Sequence, residues 1–423
     1  MLIITRIYNV FIRILKSIGP IFLVNVVSSI IFFVADAVYV KQAGLVEFGE
    51  YRYAVAILLI LSSVFTFGVA NSSLKVFCSR AKRSVRRYPI AILALPAMLA
   101  VLIITIAMIF APDRLRNLTI LLVIGAFLRA SLAIIGAIFI AENRVLRFYL
   151  LERFLISIGM LMTISAALLR GVTYPIVPIV AFALLPLASL IFLMGWLFKN
   201  KRTRIYVKYY SRRQGVQSLL NNVPFAVIDA QNTVARSFPL MLAGQILAPQ
   251  ITGLVAFVLR FLDAAQVLEN AVRAKLLPKL IDAINLANHQ GVRMLFLQSS
   301  ALLSTATLAA GSAAILSGLI ILQSDWSLLV AVALPLIAGR VITSSTALLP
   351  SLYLFAGRRS EIYLSVASWA GILILFSGVA LTFDVSLLAF SSFIAVPFAM
   401  ALPLALQHPN NGHPLLRVRA AAQ

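Results

Sequence analysis

Apolar residues follow one another in runs of about 20 positions, separated by short polar segments along the whole chain. The runs are continuous rather than alternating, which favours helices over strands. A helix of this length crosses the roughly 30 Å of bilayer hydrocarbon, where every backbone polar group must be bonded within the chain. The pattern predicts twelve transmembrane helices, at residues 18–40, 52–76, 89–111, 117–141, 148–169, 174–198, 218–246, 252–277, 295–321, 327–354, 361–382 and 385–406.

The composition agrees with an all-α membrane protein. Hydrophobic residues make up 62% of the 423 positions and charged residues only 12%, whereas a soluble domain is about one quarter charged. The net charge of +23 would indicate nucleic-acid binding in a soluble protein. In a membrane protein it instead reports which loops face the cytoplasm. We therefore expect membrane lipids, and no nucleic acid, among the partners.

Lysine and arginine are distributed unequally between alternate loops. With the N-terminus inside, the predicted outer segments hold only Lys41, Arg52, Arg114, Arg116 and Arg170. The predicted cytoplasmic segments are much richer, and their densest group is Lys199, Lys201, Arg202, Arg204, Lys208, Arg212 and Arg213. Because cytoplasmic loops collect basic residues, this asymmetry predicts an even number of helices with both termini in the cytoplasm.

The basic segment in the middle of the chain divides the predicted helices six and six. The halves are related, because a shift of 204 residues superposes Gly49 on Gly253 and Lys75 on Lys279. This predicts two pseudo-symmetric six-helix lobes, a plan that transporters use with the substrate path between the lobes. The predicted parts are a first lobe at 1–198, a basic cytoplasmic linker at 199–217, a second lobe at 218–406 and a cytoplasmic tail at 407–423.

The sequence offers no site for a cofactor or a metal. Cys78 is the single cysteine, and the histidines His289, His408 and His413 are scattered. No glycine-rich phosphate loop with Lys and Ser or Thr is present, which argues against a nucleotide cofactor. The predicted outer loops are short and carry no acid–base cluster. This favours a transporter over a membrane enzyme such as a glycan polymerase or ligase.

Polar side chains within the predicted helices are candidates for substrate binding, because charge stranded in lipid is costly. Arg129 and Arg340 lie near the middle of the fourth and tenth helices, at related places in the two halves. Guanidinium groups can hold phosphate through paired hydrogen bonds, and amides can pair with sugar hydroxyls. The candidate substrate-binding residues are Arg129, Arg340, Arg236, Arg260, Asn222, Asp229, Asn232 and Asn25.

Two interpretations remain open for several of these charges. Arg236 can pair with Asp229 across two turns, and Arg260 can pair with Asp263 three residues away, which would make both pairs structural. Asp36, in the outer third of the first helix, is a candidate ion-coupling residue. Its alternative role is an interfacial carboxylate near Lys41.

The first predicted outer hairpin also carries a family resemblance. Its sequence Gly44-Leu45-Val46-Glu47-Phe48-Gly49-Glu50-Tyr51 resembles the Gly-Pro-x-x-Phe-Gly-x-Tyr hairpin of the polysaccharide-biosynthesis flippases. These are the O-antigen and exopolysaccharide repeat-unit transporters, which are related to the multidrug and toxin extrusion (MATE) transporters. The resemblance extends through Phe67-Gly68-Val69, Ala141-Glu142-Asn143-Arg144, Gly253, Arg260 and Pro278. Leu45 stands where the family usually has proline.

The resemblance implies a function and a location. It implies a flippase in the bacterial inner membrane that moves an undecaprenyl-diphosphate-linked oligosaccharide by alternating access, with a polysaccharide polymerase and chain-length machinery as partners. The alternative is a cation-coupled multidrug exporter of the MATE type, which would use Asp36 or Asp229 and favour an acidic cavity. The intramembrane set here is mixed to basic, which favours an anionic cargo. The sequence does not name the sugar or the energy source.

Overall fold

The computed structural model describes residues 2–70, 86–89, 93–110, 113–142, 144–199, 203–206, 212–246, 248–285, 289–322, 326–346, 349 and 359–383. The chain divides into two compact units. We call Val27–Gly244 the N-terminal unit, and Met1–Val26 together with Gln245–Gln423 the C-terminal unit.

The N-terminal unit contains the last part of the first helix, from Val27 onward, and the elements that follow it, whereas the first part of that helix belongs to the C-terminal unit. In chain order the elements are α1 (Leu2–Ala43), α2 (Leu45–Thr66), β1 (Arg86–Pro89), α3 (Ala94–Phe110), α4 (Asp113–Ala141), α5 (Val145–Tyr149), a π-helical turn (Leu150–Phe154), α6 (Leu155–Leu169), α7 (Ile176–Lys199), β2 (Thr203–Tyr206) and α8 (Arg212–Ile246). Helix α4 is central, because it packs against α2, α3 and α7.

The C-terminal unit contains the later helices. They are α9 (Pro249–Asn285), α10 (His289–Ser317) with a π-helical turn at Gly318–Leu322, α11 (Trp326–Ser345) and α12 (Arg359–Phe383). Helices α9, α10 and α11 all pack against one another.

The prediction of a helical, multi-pass membrane protein is confirmed. Each of the first eleven predicted helices overlaps a helix of the structure, whereas the predicted helix at 385–406 lies outside the described residues. Within the described part of the chain, 7 helices are long and apolar enough to cross a membrane. These spans are Leu23–Ala43, Leu45–Thr66, Arg116–Ile140, Val145–Leu169, Ile176–Lys199, Met294–Ile321 and Trp326–Ser345. The total of twelve and the side on which the termini lie stay predictions.

Large apolar side chains are exposed along these spans and along the shorter apolar helix α3. Met98 on α3, Met162 on α6 and Ile191 on α7 all lie mostly outside the packed interior. A soluble protein rarely exposes apolar surface this widely, but a bilayer covers it. The outward faces of these helices are therefore suited to lipid contact.

Helix α2 ends earlier than the hydropathy pattern predicts. Phe67 adopts the left-handed conformation and its N–H bonds to the carbonyls of Ser63 and Val64, which closes the helix. Gly68 follows with φ of +65° and lies against the backbone of Phe225 and Ala226 in α8, where a Cβ would collide. This Phe-Gly pair, part of the family-like sequence, thus ends α2 at a close contact with α8.

The sequence assigns α8 to the second lobe, whereas most of this helix, up to Gly244, belongs to the compact N-terminal unit. Two contacts join α8 to α2 and the turn that follows it within this unit: Gly68 lies against the α8 backbone, and the ring of Tyr53 lies over Gly244. The lobe boundaries at 198 and 218 stay a prediction.

One pair of short strands interrupts the helical architecture. Strand β1 pairs in parallel with β2, so that Arg86 lies opposite Thr203 and Pro89 opposite Tyr206. Both strands come from segments that the charge pattern places in the cytoplasm. The pairing ties the polar segment before α3 to the basic segment that follows α7.

Candidate functional site

The polar side chains of the N-terminal unit include a guanidinium held against an aromatic ring. The Cζ atom of Arg129, on α4, lies 3.7 Å from the centroid of the Phe182 ring on α7. Phe32 of α1 contacts the same ring edge-on, with centroids 6.4 Å apart. A cation over an aromatic face is stabilised by the ring quadrupole, and stacking leaves the edges of the guanidinium able to donate hydrogen bonds.

Arg129 has no carboxylate partner among the described residues. It is half-buried, its Nε atom is buried without a hydrogen-bond acceptor in that part of the chain, and no carboxylate oxygen there lies within 4.0 Å of it. With Glu152 acting on it only from beyond 4.0 Å, Arg129 keeps a positive charge that no direct ion pair with a described residue neutralises. Such a group is suited to receive an anion.

The candidate ion-coupling residue, Asp36, lies beside Arg52, whereas the sequence suggested Lys41 as its neighbouring cation. One Asp36 carboxylate oxygen is 3.9 Å from Nη1 of Arg52 on α2, and both side chains are buried. Lys41 is exposed. Sequence reasoning treated Arg52 as an outer-loop cation, because a hydropathy pattern does not reveal which residues of a hairpin face each other.

Two tyrosines surround this ion pair. The hydroxyl of Tyr39 donates a 2.8 Å hydrogen bond to the carbonyl of Thr173, and the Tyr39 ring meets the Tyr51 ring edge-on at 6.0 Å. The guanidinium of Arg52 lies 6.0 Å from the centroid of Tyr51. The family-like Tyr51 is fully buried, so its visible role is to pack the α1–α2 hairpin around Asp36 and Arg52.

Helix α8 carries the largest group of predicted site residues. Asn222 is buried, while Asp229, Asn232 and Arg236 are half-buried. The backbone carbonyl of Asp229 accepts a 2.9 Å hydrogen bond from the Thr233 hydroxyl, and the Asp229 carboxylate takes no part in this bond. These residues share the N-terminal unit with Arg129.

Gln231, also on α8, was not singled out from the sequence. It is 1% exposed, and neither its amide nitrogen nor its amide oxygen has a hydrogen-bond partner in the described part of the chain. Buried amides are nearly always bonded, so this position stands out in the structure. A search for charged intramembrane residues misses a neutral glutamine, and its burial is the signal that identifies it.

In the C-terminal unit, Arg340 is held by partners from another helix. Its Nη2 atom donates to Glu269 of α9 at 3.2 Å and also to the side-chain oxygen of Gln266. Arg340, Glu269 and Gln266 are all buried. Sequence analysis found no acidic residue near Arg340 on its own helix, and the partner proves to lie 71 residues earlier in the chain.

Near Arg340, hydroxyl groups also join α11 to α10. The hydroxyls of Thr307 and Ser344 lie 2.9 Å apart, and Ser300 donates a 2.6 Å bond to the carbonyl of Ser345. Ser344 is one turn after Arg340. Bonds of this kind between helices hold membrane bundles together.

The other predicted site residues of the C-terminal unit are Arg260 and Asp263 on α9 and Asn25 on α1. Arg260 and Asp263 are half-buried on α9. The Asn25 amide donates a 3.1 Å hydrogen bond to the carbonyl of Ile21 on its own helix. Among the residues that the structure describes, no group of three or more His, Cys, Asp or Glu side chains is placed to hold a metal ion.

The fold itself has solved counterparts. An inward-facing multidrug resistance MATE family transporter of the MOP superfamily matches with a TM-score of 0.64, at 15% identity, over 88% of this chain and 92% of that one. This fold is similar to that of the MATE transporters. No protein-family model and no curated protein matches the sequence.

Two further MATE-like structures cover almost the whole chain. The eukaryotic MATE transporter AtDTX14 has a TM-score of 0.59 at 13% identity, over 94% of this chain and 97% of that one. A MOP superfamily transporter from Pyrococcus furiosus has a TM-score of 0.58 at 14% identity, over 92% of both chains. That transporter is described as having a binding pocket of reverse polarity that suggests a different function.

Proposed function

We propose that this protein is a flippase of the inner membrane that carries a lipid-linked oligosaccharide with a diphosphate headgroup by alternating access. The observation that carries the proposal is Arg129, which is stacked on Phe182 without a carboxylate partner among the described residues. A fixed guanidinium can replace water around a phosphate with charge-assisted hydrogen bonds. The undecaprenyl-diphosphate carrier supplies that anion.

The fold supports transport, and the hairpin sequence supports the cargo. Three solved transporters share the MATE-like architecture over most of the chain. The Pyrococcus transporter supports the view that this fold accommodates pockets of different polarity. Arg236, Asn222 and Asn232 lie in the same compact unit as Arg129 and offer further donors for phosphate and sugar hydroxyls.

The second candidate is a cation-coupled multidrug exporter. The similarity to a multidrug resistance MATE transporter and the buried carboxylate of Asp36 favour it. Against it, Arg52 lies beside that carboxylate and supplies a fixed positive charge where a coupling cation would bind. The pair therefore favours the flippase over the exporter.

The deciding experiment uses a bacterial strain depleted of the protein. We expect an undecaprenyl-diphosphate oligosaccharide to accumulate on the cytoplasmic leaflet, with loss of surface polysaccharide. The wild-type chain should reverse the accumulation and Arg129→Ala should not, at equal protein abundance. The matched control is Arg170→Ala, an exposed arginine after α6, which should complement fully. An intact surface glycan with greater sensitivity to cationic drugs would establish the exporter instead.

A further inference from the structure

A cluster of cationic and aromatic side chains lies where three membrane spans end together. The span Arg116–Ile140 ends, Val145–Leu169 begins and Ile176–Lys199 ends at this level. Trp196, near the end of α7, lies 5.1 Å from the ring of Phe139, near the end of α4. The charge pattern of the sequence places this end of the spans in the cytoplasm. Tryptophan is enriched at such membrane–water boundaries.

Two arginines share the single indole ring of Trp196. The Cζ atom of Arg144 lies 4.0 Å from the ring centroid and that of Arg147 lies 5.6 Å away. We call Arg144, Arg147 and Trp196 the Trp196 cluster. Two guanidinium groups drawn to one ring repel each other, and an anion that bridges their edges would relieve this repulsion.

The backbone fixes the cluster in place. The N–H of Arg144 donates a 2.8 Å hydrogen bond to the carbonyl of Phe139. The ring of Phe148, at the end of α5, packs directly onto Gly136 of α4. The short helix that carries Arg147 is thereby anchored on α4, which sets where the two arginines lie relative to Trp196.

The surroundings of the cluster are basic at the tip and apolar just below it. Glu142, 3.7 Å from Arg144, is a buried carboxylate, whereas Arg147 and Lys199 are exposed. Among these described residues, three cations thus accompany one carboxylate. Leu146 and Leu150, one turn apart, are exposed, and Phe198 is 71% exposed. Positive charge above an apolar surface is complementary to an anionic lipid.

We propose that the Trp196 cluster binds the phosphate headgroup of an anionic phospholipid of the surrounding bilayer. The edges of Arg144 and Arg147 would donate to the phosphate oxygens, and the acyl chains would lie along Leu146, Leu150 and Phe198. Arginine is suited to this role because its planar group stacks on an aromatic ring and holds a phosphate with two bonds at once. Anionic headgroups also draw basic residues to the membrane surface. The proposal does not depend on the cargo of the transporter.

Native mass spectrometry of the purified full-length protein tests the proposal. The protein in detergent would receive phosphatidylglycerol or, separately, phosphatidylcholine at equal concentration. We expect preferential retention of phosphatidylglycerol by the wild type, and a fall in its affinity of about fivefold for each arginine in the double variant Arg144→Gln, Arg147→Gln. Trp196→Leu should also weaken retention, and Trp196→Phe should restore most of it. The control Arg170→Gln, which removes an exposed arginine from the other end of the same span, should behave as wild type.

The same variants distinguish other sources of phosphate. A polyprenyl diphosphate would be added in a parallel series. If the double variant loses only the polyprenyl diphosphate and keeps its preference for phosphatidylglycerol, the cluster belongs to the cargo path and the proposal fails. Equal retention of both phospholipids by the wild type would also overturn it. The melting temperature in lipid-free detergent checks folding, and Arg147→Lys, which keeps the charge, supplies a milder variant.

Discussion

Arg129 and Phe182, which are 53 residues apart in sequence, bring α4 and α7 together through a guanidinium that lies 3.7 Å above an aromatic ring. The contact holds a cation within a predicted membrane span without using a carboxylate from the described residues. A carboxylate would neutralise the arginine, whereas a ring orients it and leaves its charge available to a ligand.

Replacement of the ring should therefore impair transport more than folding. We expect Phe182→Leu to lower transport by about 2- to 30-fold, which corresponds to the loss of one cation–π contact. Arg129→Lys should also be impaired, because an ammonium neither stacks flat nor forms paired bonds to phosphate. The measurement is surface-polysaccharide synthesis in a depleted strain, normalised to protein abundance. Phe192→Leu, on the exposed side of the same helix, is the control and should transport normally.

Arg340 should behave differently, because Glu269 and Gln266 already engage it. Arg340→Ala leaves the Glu269 carboxylate buried without this cation, and breaking a buried pair in this way costs about 3–5 kcal/mol. We expect lower abundance in the membrane and a lower melting temperature in detergent. The double variant Arg340→Met, Glu269→Met should recover most of the stability, because it removes both charges together. A stable Arg340→Ala protein that fails to transport would instead establish Arg340 as a substrate ligand.

Gly125 should tolerate no side chain, because α4 packs here against α2 and α7. A Cβ at this position would lie 2.7 Å from the Cβ of Ala183 and 2.8 Å from Leu58. We expect Gly125→Val to destabilise the protein by about 1–3 kcal/mol through overpacking, seen as a lower melting temperature. The matched control is Gly195→Val on α7, because in the described part of the chain a Cβ there would meet no atom within 4 Å beyond its own helix backbone and chain neighbours. An equal effect at both positions would mean that helix propensity, not packing, is responsible.

The helical architecture was accessible from the sequence because lipid imposes a simple rule. Every backbone group in a span must bond within its own helix, so the length of an apolar run predicts an element directly. The strand pair Arg86–Pro89 with Thr203–Tyr206 escaped this rule, because it forms between polar segments far apart in the chain. The end of α2 at Phe67 was missed as well, because apolar residues continue through the turn at Phe67 and Gly68, and the backbone is helical again at Val69 and Ala70.

The candidate site was only partly accessible. The deviation from an apolar pattern identifies Arg129, Arg340 and Asp36, but it does not reveal what each one touches. Phe182 was not predicted as a site residue, because aromatic residues are common in membrane spans. Only the position of Arg129 on its ring, from another helix, distinguishes it. Contacts between helices depend on their rotation and packing, which a single sequence does not encode locally.

The Asp36–Arg52 pair separates the flippase from the cation-coupled exporter. Asp36 and Arg52 form a buried pair with 3.9 Å between the carboxylate oxygen and Nη1. Asp36→Asn removes the negative charge of this pair and leaves the Arg52 guanidinium buried without it. If the pair is structural, this variant should lose about 3–5 kcal/mol of stability, and Arg52→Gln in addition should restore a large part of it. If Asp36 couples an ion, Asp36→Asn should keep its melting temperature and lose transport, and Arg52→Gln should not rescue it. We expect the first pattern, measured by melting in detergent and by complementation, with Lys41→Gln as the exposed control at the same end of α1.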